Sequence, residues 1–185
     1  MKLRILDAAD RLFYGHGIQA VGVDAVAAEA GISKRTLYNH FPSKDELIAA
    51  YLQRRTAGLG AIDGPPLTQI LGAFDFLARW FGSKHFRGCP FVNAVSELSG
   101  DRQHPAMAIA AAQKAKRLAH FEAQLQALGV ADAGGVAQQL VILFEGAIAI
   151  SLVRGGDPKA AHAARAAACT LLVAAGVKLP KETGA

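Results

Sequence analysis

The segment Gly31-Ile-Ser-Lys-Arg-Thr-Leu-Tyr-Asn-His-Phe41 is the most informative stretch of this chain. It opens with a glycine that can close one helix and a serine that can cap the next. Leu37 and Phe41 are spaced i, i+4 and therefore share the inner face of that helix, which leaves the polar side chains outward. This outer face is basic, hydroxylated and aromatic, and such groups hold phosphates and read base edges. The segment therefore predicts double-stranded DNA as a partner.

The residues around this segment predict a helix-turn-helix. Such a unit needs a small residue where two helices cross, a glycine in the turn, and apolar residues that seat the second helix. The framework residues that meet these requirements are Val26, Ala27, Gly31, Ile32, Leu37 and Phe41. Taken alone, the pattern is also typical of an ordinary helix pair with a solvated face, because short helix–glycine–helix units are common.

Eight side chains are predicted to contact DNA. They are Ser33, Lys34, Arg35, Thr36, Tyr38, Asn39, His40 and Lys44. Ser33 lies at a helix N-terminus, where free N–H groups and the helix dipole attract phosphate. Residues 1–60 carry eight Lys or Arg against six Asp or Glu, a net charge of +2 within a total of +5. Binding is therefore expected to depend on a few placed groups and not on a generally positive domain.

From Ile5 to about Leu52 the chain resembles the TetR family of bacterial transcriptional regulators. The resemblance is carried by Ile5-Leu-Asp-Ala-Ala9, Leu12-Phe13, Gly17, Val23-Asp24, Val26-Ala27, Ala30-Gly31, Ser33, Thr36-Leu-Tyr38, His40-Phe41 and Ser43-Lys-Asp-Glu-Leu47. It implies a three-helix DNA-binding domain closed by a fourth helix within residues 1–57, with the recognition helix at about 33–39. It also implies a ligand-binding and dimerisation domain over residues 58–185. One departure is Gly22, where relatives often begin the second helix with Ser or Thr.

Helical periodicity recurs along the whole chain, and strand signals are nearly absent. The pattern predicts an all-α protein of about nine helices, in which the helix-turn-helix domain is joined to a C-terminal helical bundle. A Gly- and Pro-rich break from Gly58 to Pro66 marks the predicted domain boundary. The helices predicted beyond it cover residues 67–82, 91–99, 105–128, 132–154 and 158–175.

The stretch Leu140 to Val153 is apolar around its whole circumference apart from Glu145 and Ser151. At fourteen residues it is expected to be too short to span a bilayer, so no membrane association is predicted. A helix of this kind needs cover on all sides, and a second copy of the chain would supply it. The residues predicted to form the dimer interface are Leu140, Phe144, Ile148, Leu152, Ala164 and Leu171.

The middle helices are rich in aromatic residues, for which an ordinary packed core is one interpretation. The family resemblance favours a largely apolar pocket for a small-molecule effector among them. The candidate pocket residues are Phe74, Trp80, Cys89, Phe91, Asn93, Phe121, Gln124 and Glu145. Cys89 lies beside Arg87 at a helix start and has two interpretations, a small buried residue or a thiol that senses oxidants or electrophiles.

Enzyme chemistry finds little support in the sequence. Gly15 to Ala20 formally matches a dinucleotide-binding fingerprint, but it follows a helix where that motif needs a strand. No histidine pair has metal-ligand spacing, and no catalytic or metal site and no cofactor are predicted. Two cysteines eighty positions apart indicate a reducing compartment, which is taken as the cytoplasm.

These observations predict a homodimeric repressor that a small-molecule effector releases from a pseudo-palindromic operator. The alternative is a helical dimer that binds a small molecule or a protein and does not bind DNA.

Overall fold

The computed structural model describes residues 1–57 and 62–180, and over these ranges it contains nine helices and no strand. They are α1 Lys2–His16, α2 Val23–Glu29, α3 Lys34–His40, α4 Lys44–Ala57, α5 Pro66–Phe81, α6 Pro90–Glu97, α7 Pro105–Ala127, α8 Ala133–Val153 and α9 Lys159–Ala174. The prediction of an all-α protein is confirmed.

The five helices beyond the predicted break begin and end within two residues of their predicted positions. α9 begins one residue later than predicted, at Lys159, whose N–H donates to the Asp157 carboxylate at 2.9 Å. The first four residues of the predicted Gly58 to Pro66 break lie outside the described residues.

The described residues form two compact units, and these do not follow a single cut in the sequence. The first unit takes residues 1–57 together with Arg87–Lys114, and the second takes residues 62–86 and 115–180. Residues 87–114, which the sequence assigns to the ligand-binding domain, therefore pack with the predicted DNA-binding helices. α7 contributes its first half to the first unit and its second half to the second.

In the first unit, α1 packs against both α2 and α4, and α2 packs against α3. The apolar faces of these short helices meet in a core that buries Ile5, Leu37, Leu47 and Leu52 completely. A ring pair, Phe13 and Tyr51, joins α1 to α4 with centroids 5.6 Å apart. Removal of these side chains from water is the main stabilising contribution to helices that are only seven residues long, such as α2 and α3.

In the second unit, α5, α8 and α9 pack against one another. At its centre lie the rings of Phe74, Phe121 and Phe144, with centroid separations of 5.9 to 6.3 Å. Alanines on α9, including Ala161 and Ala168, are fully buried, and their small side chains let neighbouring backbones approach closely.

The length argument for α8 is wrong. The helix runs for 21 residues because it begins at Ala133, seven residues before the apolar stretch. By length and composition it is long enough to cross a membrane, and about a third of its most apolar window is buried within the protein. α8 packs on α5 and α9, and core helices of soluble proteins can be equally long and apolar.

Candidate nucleic-acid interface

The turn between α2 and α3 has the geometry of a helix-turn-helix. Gly31 adopts a positive φ of +62°, the left-handed conformation that lets a glycine end a helix without strain. The Ile32 N–H donates to the Ala27 carbonyl at 3.0 Å, and the Gly31 N–H donates to the Ala28 carbonyl at 2.9 Å. These two bonds form a Schellman motif, which closes α2 and turns the chain towards α3.

α3 is seated by the predicted framework. Leu37 is fully buried and Phe41 nearly so, while Val26 and Ala27 are buried where α2 meets its neighbours. Ser33 caps the helix, because its hydroxyl accepts a hydrogen bond from the Thr36 N–H at 3.1 Å. The predicted inward face and the predicted cap of α3 are both confirmed.

The opposite face of α3 presents the predicted DNA contacts to solvent. Ser33, Lys34, Arg35, Tyr38 and Asn39 are exposed. Thr36, His40 and Lys44 are half-buried. The Thr36 hydroxyl lies 2.9 Å from the Ser33 hydroxyl, so the two side chains form a hydrogen bond in the protein without DNA. α3 and its cap thus carry seven of the eight side chains that the sequence assigns to base and phosphate contact, and Lys44 lies at the start of α4.

Two of the cations on this surface differ in their surroundings. The Lys34 ammonium donates to the Asp24 carboxylate of α2 at 3.0 Å. This hydrogen bond, with the carboxylate charge, raises the pKa of Lys34 above its ordinary value. Arg35 makes no ion pair with any residue that the structure describes. Asp24 was not among the predicted site residues, since nothing in its sequence position indicates that it pairs with Lys34.

α4 packs on α1, in the same unit as α2 and α3. It is capped by Ser43, whose hydroxyl accepts from the Glu46 N–H at 3.0 Å. Near its other end, Arg55 donates to both oxygens of Asp10 on α1 at 2.6 and 2.8 Å, and its guanidinium lies 4.1 Å from the centre of the Tyr14 ring. Burial lowers the pKa of Arg55, but the hydrogen bonds and charge of Asp10, together with Tyr51 and Tyr14, outweigh this effect, and the net shift is upward. The pair fixes α4 on α1 with bidentate geometry.

Residues 87–114 hold the same helices at three further points. The Tyr14 hydroxyl donates to the Gly88 carbonyl at 3.0 Å and accepts from the Arg87 N–H at 2.9 Å. The Glu97 carboxylate accepts from the Gln19 N–H at 2.8 Å. His104 is buried with its Nε2 atom 3.4 Å from the Asp45 carboxylate at the start of α4. Sequence reasoning missed these contacts because their partners are about 60 to 80 residues apart.

Comparisons with known proteins agree with this geometry. The family model described as bacterial regulatory proteins, tetR family, matches residues 5–51. The structure of SCO4454, a TetR-family transcriptional regulator from Streptomyces coelicolor, is 31% identical, with 94% of each chain covered and a TM-score of 0.85. The chain belongs to the TetR family. It is therefore a helix-turn-helix transcriptional regulator.

Two further relatives of this TetR-family chain match it over different lengths. The structure of Sav143 from Streptomyces avermitilis is 35% identical, covers 96% of this chain and 98% of that one, and has a TM-score of 0.84. Rv1255c of Mycobacterium tuberculosis, an uncharacterized HTH-type transcriptional regulator, is 46% identical over 57 residues. That match covers 31% of this chain and 28% of the curated relative. It therefore bears on the helix-turn-helix domain, whose helices α2 and α3 we call the reading head, and not on the C-terminal helices.

The residues predicted for a TetR effector pocket fall in both compact units. In the first unit, Cys89 and Phe91 are buried, Asn93 donates to the Arg87 carbonyl at 2.7 Å, and the Lys114 ammonium lies 3.3 Å from the Cys89 sulfur. These three residues are thus engaged in local packing and hydrogen bonds.

In the second unit, Phe74 and Phe121 lie in the central aromatic cluster and are fully buried. Trp80 packs at the edge of that region, with its ring centre 5.0 Å from that of Phe86. Gln124 is half-buried. Glu145 lies 3.7 Å from Arg117, whose guanidinium covers the Phe144 ring at 3.9 Å.

The residues predicted for a dimer interface differ in their burial. Leu140, Phe144, Ile148 and Ala164 are buried in the core of the protomer, so they are not available to a partner. Leu152 is exposed and Leu171 half-buried. The outward apolar residues of α8 are instead Ile142, Ile150, Leu152 and Val153, of which Val153 is 85% exposed.

No group of three or more His, Cys, Asp or Glu side chains is arranged to hold a metal within residues 1–57 and 62–180.

Proposed function

We propose that this TetR-family chain is a homodimeric repressor that binds a pseudo-palindromic operator and is released by a small, largely apolar effector. The observation that carries the proposal is the reading head, in which a capped helix seated by Leu37 presents Lys34, Arg35 and Tyr38 to solvent. Phosphate contacts would supply much of the affinity, and the side chains of α3 would supply the choice of sequence.

Dimerisation is supported by an outer face on α8. Ile142, Gly146, Ala149, Ile150 and Val153 are all exposed and recur at helical spacing, so they form one continuous stripe. A contiguous apolar stripe of this length is uncommon on a monomer.

The exposed positions of α9 suit the same interface. Ala163, Ala166, Thr170 and Val173 lie on one face, and all are small or apolar. Two copies of the α8–α9 pair would form an isologous four-helix interface, with small side chains permitting close approach.

Release by an effector would be a shift between two dimer populations. An effector removes the repressor from DNA only to the extent that it binds the released form better than the operator-bound form. In the operator-bound form the two recognition helices would lie one helical turn of DNA apart, about 34 to 36 Å.

DNA binding is tested by footprinting the protein on DNA upstream of its own reading frame and on sites selected from random duplexes. We expect a protected pseudo-palindrome and a loss of affinity of tenfold or more for Arg35→Ala and Tyr38→Ala, roughly 1.4 kcal/mol or more each. Arg79→Ala, an exposed arginine of α5, is the matched control and should leave affinity unchanged. A dimer that protects no DNA would instead support the alternative of a binding module without DNA binding.

The sign of regulation is tested with a reporter gene placed behind the protected sequence. A repressor lowers expression when present, and an effector restores it while reducing DNA affinity in a purified system. Higher expression in the presence of the protein would show an activator and contradict the proposal.

A further inference from the structure

The ion pair between Lys34 and Asp24 joins the two helices of the reading head. Lys34 is the first residue of α3, and Asp24 lies in the first turn of α2. The ammonium and carboxylate are 3.0 Å apart, and both side chains are more than half exposed. An acidic side chain is thus placed on the surface that would face the DNA, next to a predicted base-reading lysine.

A carboxylate at this position does not help Lys34 to bind the phosphate backbone of DNA. A lysine that contacts phosphates contributes affinity for every DNA sequence, because it releases condensed cations from the duplex. When that ammonium is already paired with a carboxylate, the pair is close to neutral, and its attraction for a phosphate backbone is small.

Base recognition is affected differently. The lysine ammonium has three N–H donors, so it can keep one bond to Asp24 and direct the others to the O6 and N7 acceptors of a guanine. The carboxylate also limits the directions in which the flexible lysine side chain can point, and this favours a fixed contact over a mobile one.

We propose that Asp24 is a specificity-determining residue, which orients Lys34 towards a base and reduces binding to non-cognate DNA. The inference rests on the proposed DNA-binding function. It assigns to Asp24 a role that acts through Lys34, so Asp24 is a positioning residue and need not contact DNA itself.

A purely structural role for Asp24 must be separated from this one. An acidic residue in the first turn also interacts favourably with the N-terminal end of the α2 dipole. Glu29, at the other end of α2, provides a matched control, because it also forms an exposed ion pair, with Arg11 at 2.8 Å, but that pair does not involve α3. Asp24→Asn and Glu29→Gln each remove one negative charge from the same helix.

The experiment measures affinity for the selected operator and for a scrambled duplex of equal length, over a series of salt concentrations. For Asp24→Asn we expect binding to scrambled DNA to strengthen and the ratio of operator to scrambled affinity to fall by about tenfold. The salt dependence on scrambled DNA should steepen by about 0.9 in log–log slope for each newly engaged lysine. Glu29→Gln should leave the ratio within about twofold of the wild-type ratio.

Lys34→Met completes the test. On a Lys34→Met background, Asp24→Asn should change the ratio no further, because the residue through which it acts has been removed. If Asp24→Asn lowers the melting temperature, the comparison is repeated with Asp24→Ser, which also removes the negative charge but carries a smaller side chain.

The outcomes separate the two proposals. An unchanged ratio in Asp24→Asn, or an equal change in Glu29→Gln, would overturn the role of Asp24 while DNA binding stands. A wild-type protein that binds neither duplex would overturn the proposed function, and the role of Asp24 with it.

Discussion

Gly156 lies in the turn between α8 and α9 with a φ of +97°, and a Cβ atom built there would lie 2.7 Å from the Phe81 carbonyl oxygen. Gly156→Ala therefore combines an unfavourable left-handed backbone with a clash against main chain that cannot rotate away. We expect it to lower the free energy of unfolding by about 2 to 4 kcal/mol, measured by urea denaturation.

Gly155 is the matched control for that substitution. It also has a positive φ, +72°, but a Cβ there meets nothing within 4 Å. Gly155→Ala should cost only the backbone term, about 1 to 2 kcal/mol. Equal losses in the two variants would show that the contact with Phe81 contributes nothing.

His120 on α7 predicts a pH dependence of stability. Burial, with the nearby charge of Arg117, lowers the pKa of His120 below its ordinary value of 6.5. The unfolded chain therefore takes up a proton at a higher pH than the folded chain, so stability from this residue is lost as pH falls below about 6.5. His120→Gln should show a smaller decrease in melting temperature between pH 7.5 and 5.5 than the wild type.

The exposed His85 provides the comparison for this pH effect. His85→Gln should keep the wild-type decrease over the same pH range. If His120→Gln and the wild type lose the same stability on acidification, His120 is protonated equally in the folded and unfolded chains.

Single residues on α3 were predictable because they depend on local rules. Glycine at the helix end, serine at the cap and the i, i+4 spacing of Leu37 and Phe41 fix which side chains turn inward. Asp24 and His104 were not predictable in the same way, since their partners, Lys34 and Asp45, are brought close only by packing of separate helices.

At the scale of the element, α3 separates stability from DNA affinity. Leu37 is fully buried, so Leu37→Ala should lower the free energy of unfolding by about 2 to 5 kcal/mol. Tyr38 is the adjacent exposed residue, and Tyr38→Ala should change stability by less than about 0.5 kcal/mol while weakening DNA binding. Urea denaturation and DNA titration of both variants check this, and a Tyr38→Ala protein as unstable as Leu37→Ala would contradict the assigned orientation of the helix.

α8 shows where helical periodicity gives no answer. When apolar residues occupy every side of a helix, the sequence does not show which side faces the protomer and which faces a partner. The choice depends on α5 and α9, which cover Leu140, Phe144 and Ile148 and leave Ile142 and Ile150 outside. α8 has apolar residues that one protomer leaves exposed, as the sequence predicts, whereas four of the six residues chosen for the interface are buried within the protomer.

At the scale of the whole molecule, helix number and order follow from sequence punctuation, but the division into units does not. A break near residue 58 suggests two domains in succession, yet residues 87–114 pack with the first four helices. Their contacts with Tyr14 and Gln19 are hydrogen bonds, and His104 lies close to the Asp45 carboxylate; such contacts leave no periodic signal in the sequence. The unit that contains α2 and α3 thus includes residues from beyond the predicted break.

The exposed stripe of α8 also predicts how the whole protein unfolds. If two copies bury that stripe, the folded dimer is favoured by mass action, and the melting temperature should rise with protein concentration from 1 to 100 μM. Ile142→Asp places a charge on the stripe and should abolish this dependence, with a monomer seen by sedimentation. Leu3→Asp alters an equally exposed leucine of α1, outside the stripe, and should keep the wild-type dependence. A wild-type melting temperature independent of concentration, in a protein that sediments as a monomer, would contradict the interface and with it the paired recognition helices that a palindromic operator requires.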